Sequence, residues 1–297
     1  MIQLIKNPLR VLFHAFIKIL PDVWAIQILY LRNFYRFADL KNPKTYNEKI
    51  NWRKINQRDT RFTVYADKLA VKDEIANLIG AEHVIPTLWS GEKPEDIPFD
   101  SLTPPYVIKV NHGYGSNFFI RKKEDIDLQH IYTVLRKLLR NSHASVTREL
   151  GYLAIPRKIL IESMLVPSEG VVPDDYKFFV YHGRVHFILF IRDRFKTAQA
   201  NYFDRTWNKL PFKSADFTEL NSRVPKPIYL ENMIEIAEKI GKKFDYVRVD
   251  LYHTPTGIFF GETTFYDGGG YGKIHPFSGE YILGAPWKIK GTHQCPQ

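Results

Sequence analysis

The chain has 297 residues, of which 44% are apolar, 25% charged and 14% aromatic. That is material for one large or two modest domains with a sizeable core, and it excludes a disordered, collagenous or coiled-coil chain. Lys and Arg number 42 against 32 Asp and Glu, so the formal net charge of +10 favours anionic partners without choosing among phosphates, acidic sugars, membrane and nucleic acid.

In chain order, Asn7-Pro8 reads as an N-cap followed by proline at the first helical position, and Pro21 closes that segment. Leu9, Leu12, Phe13, Phe16 and Leu20 fall on one helical face, with Arg10, His14 and Lys18 on another. This is a short basic amphipathic helix, and a second apolar helix is expected from Asp22 to Tyr35. Two readings stay open: both helices pack on the body of the protein, or the first lies on an anionic membrane surface. Lys6, Arg10, Lys18 and Asp22 leave no charge-free stretch near the roughly 18–20 residues a membrane span needs. No small-residue cleavage site follows the apolar part. The expected location is the cytoplasm, with the inner membrane face as a candidate peripheral contact. Residues 1–45 then form a helical extension and 46–297 the main region.

Helices are expected at Tyr46–Asn56, Ala66–Leu78, Asp127–Arg140 and Ile228–Lys243. Strands are expected at Val84–Leu88, Tyr106–Val110, Asn117–Arg121, Lys158–Ser163, Tyr176–Tyr181, Val185–Arg192 and Ala200–Phe203. Tyr246–Tyr252 and Ile258–Glu262 read as a hairpin across Pro255-Thr256-Gly257. Helices and antiparallel hairpins interleave without a strict βαβ beat, which gives an α+β or mixed α/β class.

Three segments can carry chemistry. In the first, a strand delivers Lys109 to the His112–Asn117 loop, where Gly113 and Gly115 let backbone N–H groups approach an anion and Ser116 adds a hydroxyl. A hairpin with a glycine-rich turn accounts for it equally without function. In the second, Arg248 and Asp250 share a strand face by the two-residue period, and Glu262 can sit opposite. Two carboxylates beside an arginine suit Mg²⁺, which takes one or two carboxylates plus substrate phosphates; a cross-strand ion pair is the alternative. In the third, Glu162 ends an apolar strand, Asp175 and Lys177 share a strand face after Asp174, and Arg192 and Arg194 end the following strand. Clustered cations suit a phosphorylated or carboxylated ligand; for Arg194 and Asp174, solvated ends of hairpin strands are an adequate alternative. The lone Cys295 excludes an internal disulfide and a cysteine-based zinc site.

Taken in order, Ala66-Asp67-Lys68, Val107-Ile108-Lys109 with its loop, Ile159–Glu162, Asp175-Tyr176-Lys177, Arg248-Val249-Asp250, Gly261-Glu262-Thr263-Thr264-Phe265 and Asp267-Gly268-Gly269-Gly270 resemble the ATP-grasp superfamily. The closest resemblance is to its TupA-like branch from bacterial surface-polysaccharide gene clusters, over about residues 45 to 287. It implies an ATP-grasp fold, two α+β lobes holding ATP between them. The lobe with the glycine-rich flap covers about 104–160, and the nucleotide and metal lobe about 161–287. It implies Lys68 and Lys109 at the nucleotide phosphates, the His112, Gly113, Gly115 and Ser116 loop as a flap, Glu162 near adenine and Asp175 near ribose. Asp250 and Glu262 match magnesium-binding acids and Arg248 the arginine that steadies the transferring phosphoryl group. Thr264 stands where the superfamily usually has Asn, as a weaker third ligand. Lys177 and Arg192 are candidates for acyl-substrate or γ-phosphate contacts.

The implied activity is an ATP- and Mg²⁺-dependent carboxylate–amine ligase working through an acyl phosphate. From the branch, the acid is a uronic acid of a capsular or O-antigen glycan and the amine an amino acid. A kinase on the same fold and a glycosyltransferase of polysaccharide synthesis stay as alternatives. Nucleic acid is not expected as a partner, because the basic residues are dispersed and form no recognised signature.

Overall fold

The computed structural model describes residues 8–113, 117–141, 143–166, 172–193 and 197–289. Gly115 and Ser116 of the expected flap, with Arg194 and Cys295, lie outside the described residues.

Five helices open the chain: α1 (Pro8–Ile19), α2 (Asp22–Phe34), α3 (Tyr46–Asn56), α4 (Arg61–Ala66) and α5 (Val71–Ile79). A capping box starts α3, where the Thr45 hydroxyl accepts from the Glu48 N–H and the Glu48 carboxylate accepts from the Thr45 N–H. The single helix expected over Ala66–Leu78 is instead α4 and α5 with a turn between them. Asp67 causes the break. Its carboxylate accepts from the Leu69 N–H at 2.8 Å and from the Asn111 amide at 2.9 Å, which ties the chain to a neighbouring loop in place of helix continuation. Lys68 sits on that turn, where its backbone N–H donates to the Asn111 carbonyl at 3.1 Å.

Four strands follow: β1 (Thr87–Gly91), β2 (Tyr106–Val110), β3 (Phe118–Ile120) and β4 (Ile159–Ser163). They form an antiparallel sheet of order β1-β4-β2-β3. The strand expected at Val84–Leu88 lies three residues further on, because Pro86 lacks a ladder donor; Val84 makes only an isolated bridge to Phe260. Helix α6 (Leu128–Arg140), capped by Asp127, lays Ile131 and Leu135 on Ile108, Ile120, Ile159 and Ile161. Short helices α7 (Ala144–Thr147) and α8 (Leu150–Leu153) lead back to the sheet.

The second half holds β5 (Asp175–Tyr181), β6 (Arg184–Arg192), β7 (Gln199–Asp204), β8 (Lys213–Ser214), β9 (Thr218–Glu219), α9 (Leu230–Gly241), β10 (Tyr246–Thr254), β11 (Gly257–Thr264), β12 (Ile274–His275) and α10 (Ser278–Gly284). Six of these strands form a sheet of order β11-β10-β5-β6-β7-β9, antiparallel but for the β7–β9 pair. Strand β12 pairs with β8. The class is mixed α and β, as the sequence indicates. On the back of the six-stranded sheet, Val247, Val249 and Leu251 pack with Met233, Ile234, Ala237 and Ile240 of α9. That burial stabilises by about 1.5–3 kcal/mol for each large side chain. The alternate residues of β10 and β5 therefore face the other way, and they carry charge.

Candidate functional site

The charged face is built by register. Asp250 pairs with Glu262 on β11 and with Lys177 on β5, so three ionisable groups lie in one row across the sheet. A bulge keeps this alignment: Asp250 opposes Glu262 but the next residue, Leu251, opposes Phe260, leaving Gly261 extra. Only glycine fits there, since a Cβ would lie 2.8 Å from the Tyr252 ring and 3.1 Å from the Asp250 carbonyl oxygen.

Arg248 is the hub of this row. Its guanidinium donates to both oxygens of Asp250 at 2.7 and 2.8 Å, to Glu262 Oε1 at 3.0 Å, to Thr264 Oγ1 at 3.1 Å and to Asp267. Burial disfavours the charge, but Asp250 and Asp267 outweigh it and raise the guanidinium's pKa further, so this arginine stays protonated. Lys177 is ion-paired with Asp250 and lies 3.6 Å from Asp175. Lys68 reaches Glu262 Oε2 at 3.2 Å and the Gly113 carbonyl at 2.9 Å, bridging the six-stranded sheet to the start of the flap loop.

A second cluster lies on the four-stranded sheet. Glu162 is buried and pairs with Lys72 at 2.6 Å and with Lys109. Burial alone would push its carboxyl up, but Lys109 and Lys72 hold it below the ordinary range. Lys72 loses by the same burial, and its pKa is lowered. The two clusters border adjoining cavities. One is mostly apolar, with Val107, Lys109, Phe119, Glu162, Met164 and Asp175 among its lining residues. The other is a larger cleft with about 1210 Å³ of empty space, part of it open to solvent. Lys68, Gly113, Lys177, Arg248 and Glu262 line it, together with Tyr46, Tyr202, Phe217 and the Gly268–Gly269 turn.

Of the sequence-designated residues, the structure thus gathers Lys68, Lys177, Arg248, Asp250, Glu262 and Thr264 around one guanidinium, with Asp175 adjacent. Lys109 and Glu162 form the second cluster. Two others stand apart. His112 is turned away, with its ring nitrogens near the Asn111 side chain and the Leu138 carbonyl, and desolvation lowers its pKa. Arg192 lies at the rim, 3.5 Å from Asp174 and 39% exposed.

Sequence reasoning missed Lys72 and left Asp267 without a role, although the Asp-Gly-Gly-Gly run drew attention to it. It also missed the face of α3. There Asn47, Asn51 and Lys54 donate to the carbonyls of Gly272, Gly270 and Gly269, which fixes the glycine turn beside Asp267. Their spacing of four and three residues was the available signal.

As for a metal, the donors near Arg248 are hard oxygens: the carboxylates of Asp250, Glu262 and Asp267 and the Thr264 hydroxyl. Among the described residues no three carboxylate, imidazole or thiolate groups are placed to hold an ion between them. The set fits Mg²⁺ taken up together with phosphate oxygens, with Glu262, at 27% side-chain exposure, as the carboxylate open to the cleft.

No curated protein matches the sequence. The chain is similar to several solved structures. One is the ATP-grasp ligase PsnB complexed with a minimal precursor (12% identity, TM-score 0.42, 76% of this chain and 60% of that one). A second is the D-alanine–D-alanine ligase from Bacillus anthracis complexed with ATP (15%, 0.40, 68% and 55%). A third is the N5-carboxyaminoimidazole ribonucleotide synthetase from Thermus thermophilus (12%, 0.40, 68% and 45%). The chain spans between 45% and 60% of the length of these three proteins. The family described as TupA-like ATPgrasp matches residues 48–288, the whole of both sheets and both ionic clusters, and the chain belongs to that family.

Proposed function

We propose that the protein is an ATP-dependent carboxylate–amine ligase. The observation that carries this reading is the cleft in which Lys68, Lys177 and Arg248 meet Asp250 and Glu262, next to an apolar cavity bordered by Lys109. The adenine ring suits the apolar cavity, and the phosphates suit the lysines between the two clusters. A carboxylate oxygen of the acid attacks the γ-phosphorus, ADP leaves, and an acyl phosphate forms. The amine then attacks the acyl carbon, phosphate leaves, and the amine proton passes to solvent. Arg248 and Lys177 hold the negative charge that accumulates on the transferring group, and their own ion pairs fix them beforehand. Mg²⁺, when bound at Glu262 and Asp250, supplies Lewis-acid neutralisation of phosphate charge.

On this reading the acid is a uronic acid of a capsular or O-antigen glycan and the amine an amino acid. Support comes from the cations lining the cleft, Lys68, Lys177 and Arg248, which suit a carboxylated sugar. Calorimetry with ATP, with and without Mg²⁺, tests the site: magnesium-dependent binding is expected, and Lys109→Ala should abolish it. Lys72 remains to balance Glu162 in that variant. Hydroxylamine trapping then tests the chemistry with uronic-acid glycans. A hydroxamate is the expected product; stable phosphorylation of a hydroxyl would instead make the protein a kinase, and binding of nucleotide sugar without ATP a glycosyltransferase.

A further inference from the structure

Helices α1 and α2 precede the family match, and their outer surface has no counterpart in the site. The face of α1 predicted to be apolar is split by the fold. Phe13, Ile17 and Leu20 turn inward to Ala25, Leu29 and Val146. Leu9, Leu12, Phe16 and Ile19 turn outward, at 73%, 66%, 48% and 80% exposure. Their spacing of three and four residues makes one continuous stripe along the helix. Val23 and Trp24, at the start of α2, are exposed as well.

The charges around this stripe are cationic. Between them the two helices hold Arg10, Lys18 and Arg32 against one acid, Asp22. Asp22 is occupied by Arg148 at 2.9 Å. Lys18 and Arg32 are exposed on the same two helices. A helix of 12 residues extends about 18 Å, short of the roughly 30 Å hydrocarbon core. Among the described residues no helix is long and apolar enough to cross a membrane. The helix is therefore suited to lie in a bilayer surface, not to span it.

We propose that the outward stripe of α1, with Trp24 beside it, docks the protein on an anionic lipid bilayer. Leu9, Leu12, Phe16 and Ile19 enter the acyl boundary, Trp24 sits at the headgroup level, and Lys18 and Arg32 meet the lipid phosphates.

Co-sedimentation of the full chain with vesicles tests this. Binding to mixed phosphatidylcholine–phosphatidylglycerol vesicles is expected, with weaker binding to pure phosphatidylcholine and loss on raising salt. Leu12→Glu/Phe16→Glu/Ile19→Glu should abolish binding, and Ile19→Glu alone should weaken it while keeping the wild-type denaturation curve. Lys18→Gln should weaken it about fivefold, the worth of one cation near such a surface. Absence of wild-type binding, or binding unchanged in the triple variant, overturns the proposal. A dimer that the triple variant dissociates, without vesicle binding by the wild type, assigns the stripe to a second copy and overturns it equally.

Discussion

The two ionic clusters differ in the balance of their charges. On the four-stranded sheet two lysines, Lys72 and Lys109, share one carboxylate, Glu162. On the six-stranded sheet four acids, Asp175, Asp250, Glu262 and Asp267, face three cations, Lys68, Lys177 and Arg248. A surplus of positive charge favours a polyphosphate, and a surplus of hard carboxylate oxygen favours a divalent cation. One site cannot offer both without its groups neutralising each other. On the proposed function, placing them apart lets a nucleotide and its metal bind across the gap. Strand register fixes Lys109, Glu162, Asp175, Lys177, Arg248, Asp250 and Glu262, whereas Lys68, Lys72 and Asp267 reach the clusters from a turn, a helix and the glycine turn.

Arg248 should be the most sensitive point of that comparison. Replacing it by Met leaves Asp250 with Lys177 alone and Asp267 without its cation, in a buried setting. Removing one partner of a buried charge network costs about 3–5 kcal/mol. Urea denaturation of Arg248→Met should show a loss of that size, and turnover should fall below detection. A variant of near wild-type stability would mean that the acids are better solvated than their burial indicates.

Glu262→Gln should separate function from stability. Glu262 is the more exposed acid of the cluster, and its contacts to Lys68 and Arg248 are each worth no more than about 1 kcal/mol. The fold should survive, whereas magnesium-dependent turnover should drop about 100-fold or more. Retained turnover, measured by ADP release over a magnesium titration, would make Glu262 a structural acid and remove the metal side of the comparison.

Much of this was legible in the sequence for a physical reason. The two-residue period of β10 and β5 puts Arg248, Asp250, Asp175 and Lys177 on one side whatever the surrounding fold, and the hairpin after Thr254 brings Glu262 opposite. The division of labour between clusters was not legible. Glu162 reads as a nucleotide contact, and its carboxylate is also engaged by Lys72 of α5, the helix that starts after the break at Asp67. The same break misled the helix assignment over Ala66–Leu78. For α1, periodicity found an apolar face but could not divide it into an inward and an outward half, since that depends on Val146, far along the chain.

A third contrast lies between the acids of the cleft, which are paired with cations, and Glu280, which is buried with Asn47 donating to it. Burial raises its carboxyl to about 8, although the Asn47 N–H and amide donate to it. The folded protein then holds a proton that the unfolded chain releases near pH 4.5. This contribution to stability is complete below about pH 4.5 and is lost as pH rises towards 8. Denaturation midpoints taken across that window should fall with pH more steeply in the wild type than in Glu280→Gln. Equal slopes would show that the two Asn47 donors keep Glu280 ionised in the folded state.

The smallest expected effect concerns Thr264. Its hydroxyl accepts from Arg248 at 3.1 Å and donates to Glu262 at 3.3 Å, so it couples the cation to the acid without a charge of its own. Thr264→Val keeps the shape and removes both bonds, at a cost of about 1 kcal/mol. Glu262 would lose an orienting donor, and the magnesium requirement for turnover should rise about fivefold while ATP affinity without metal stays constant. Thr264→Asn should behave oppositely, since an amide can present its oxygen to Arg248 and its NH₂ to Glu262. Equal magnesium dependence in Thr264→Val, Thr264→Asn and the wild type would show that this position only fills space between the two strands.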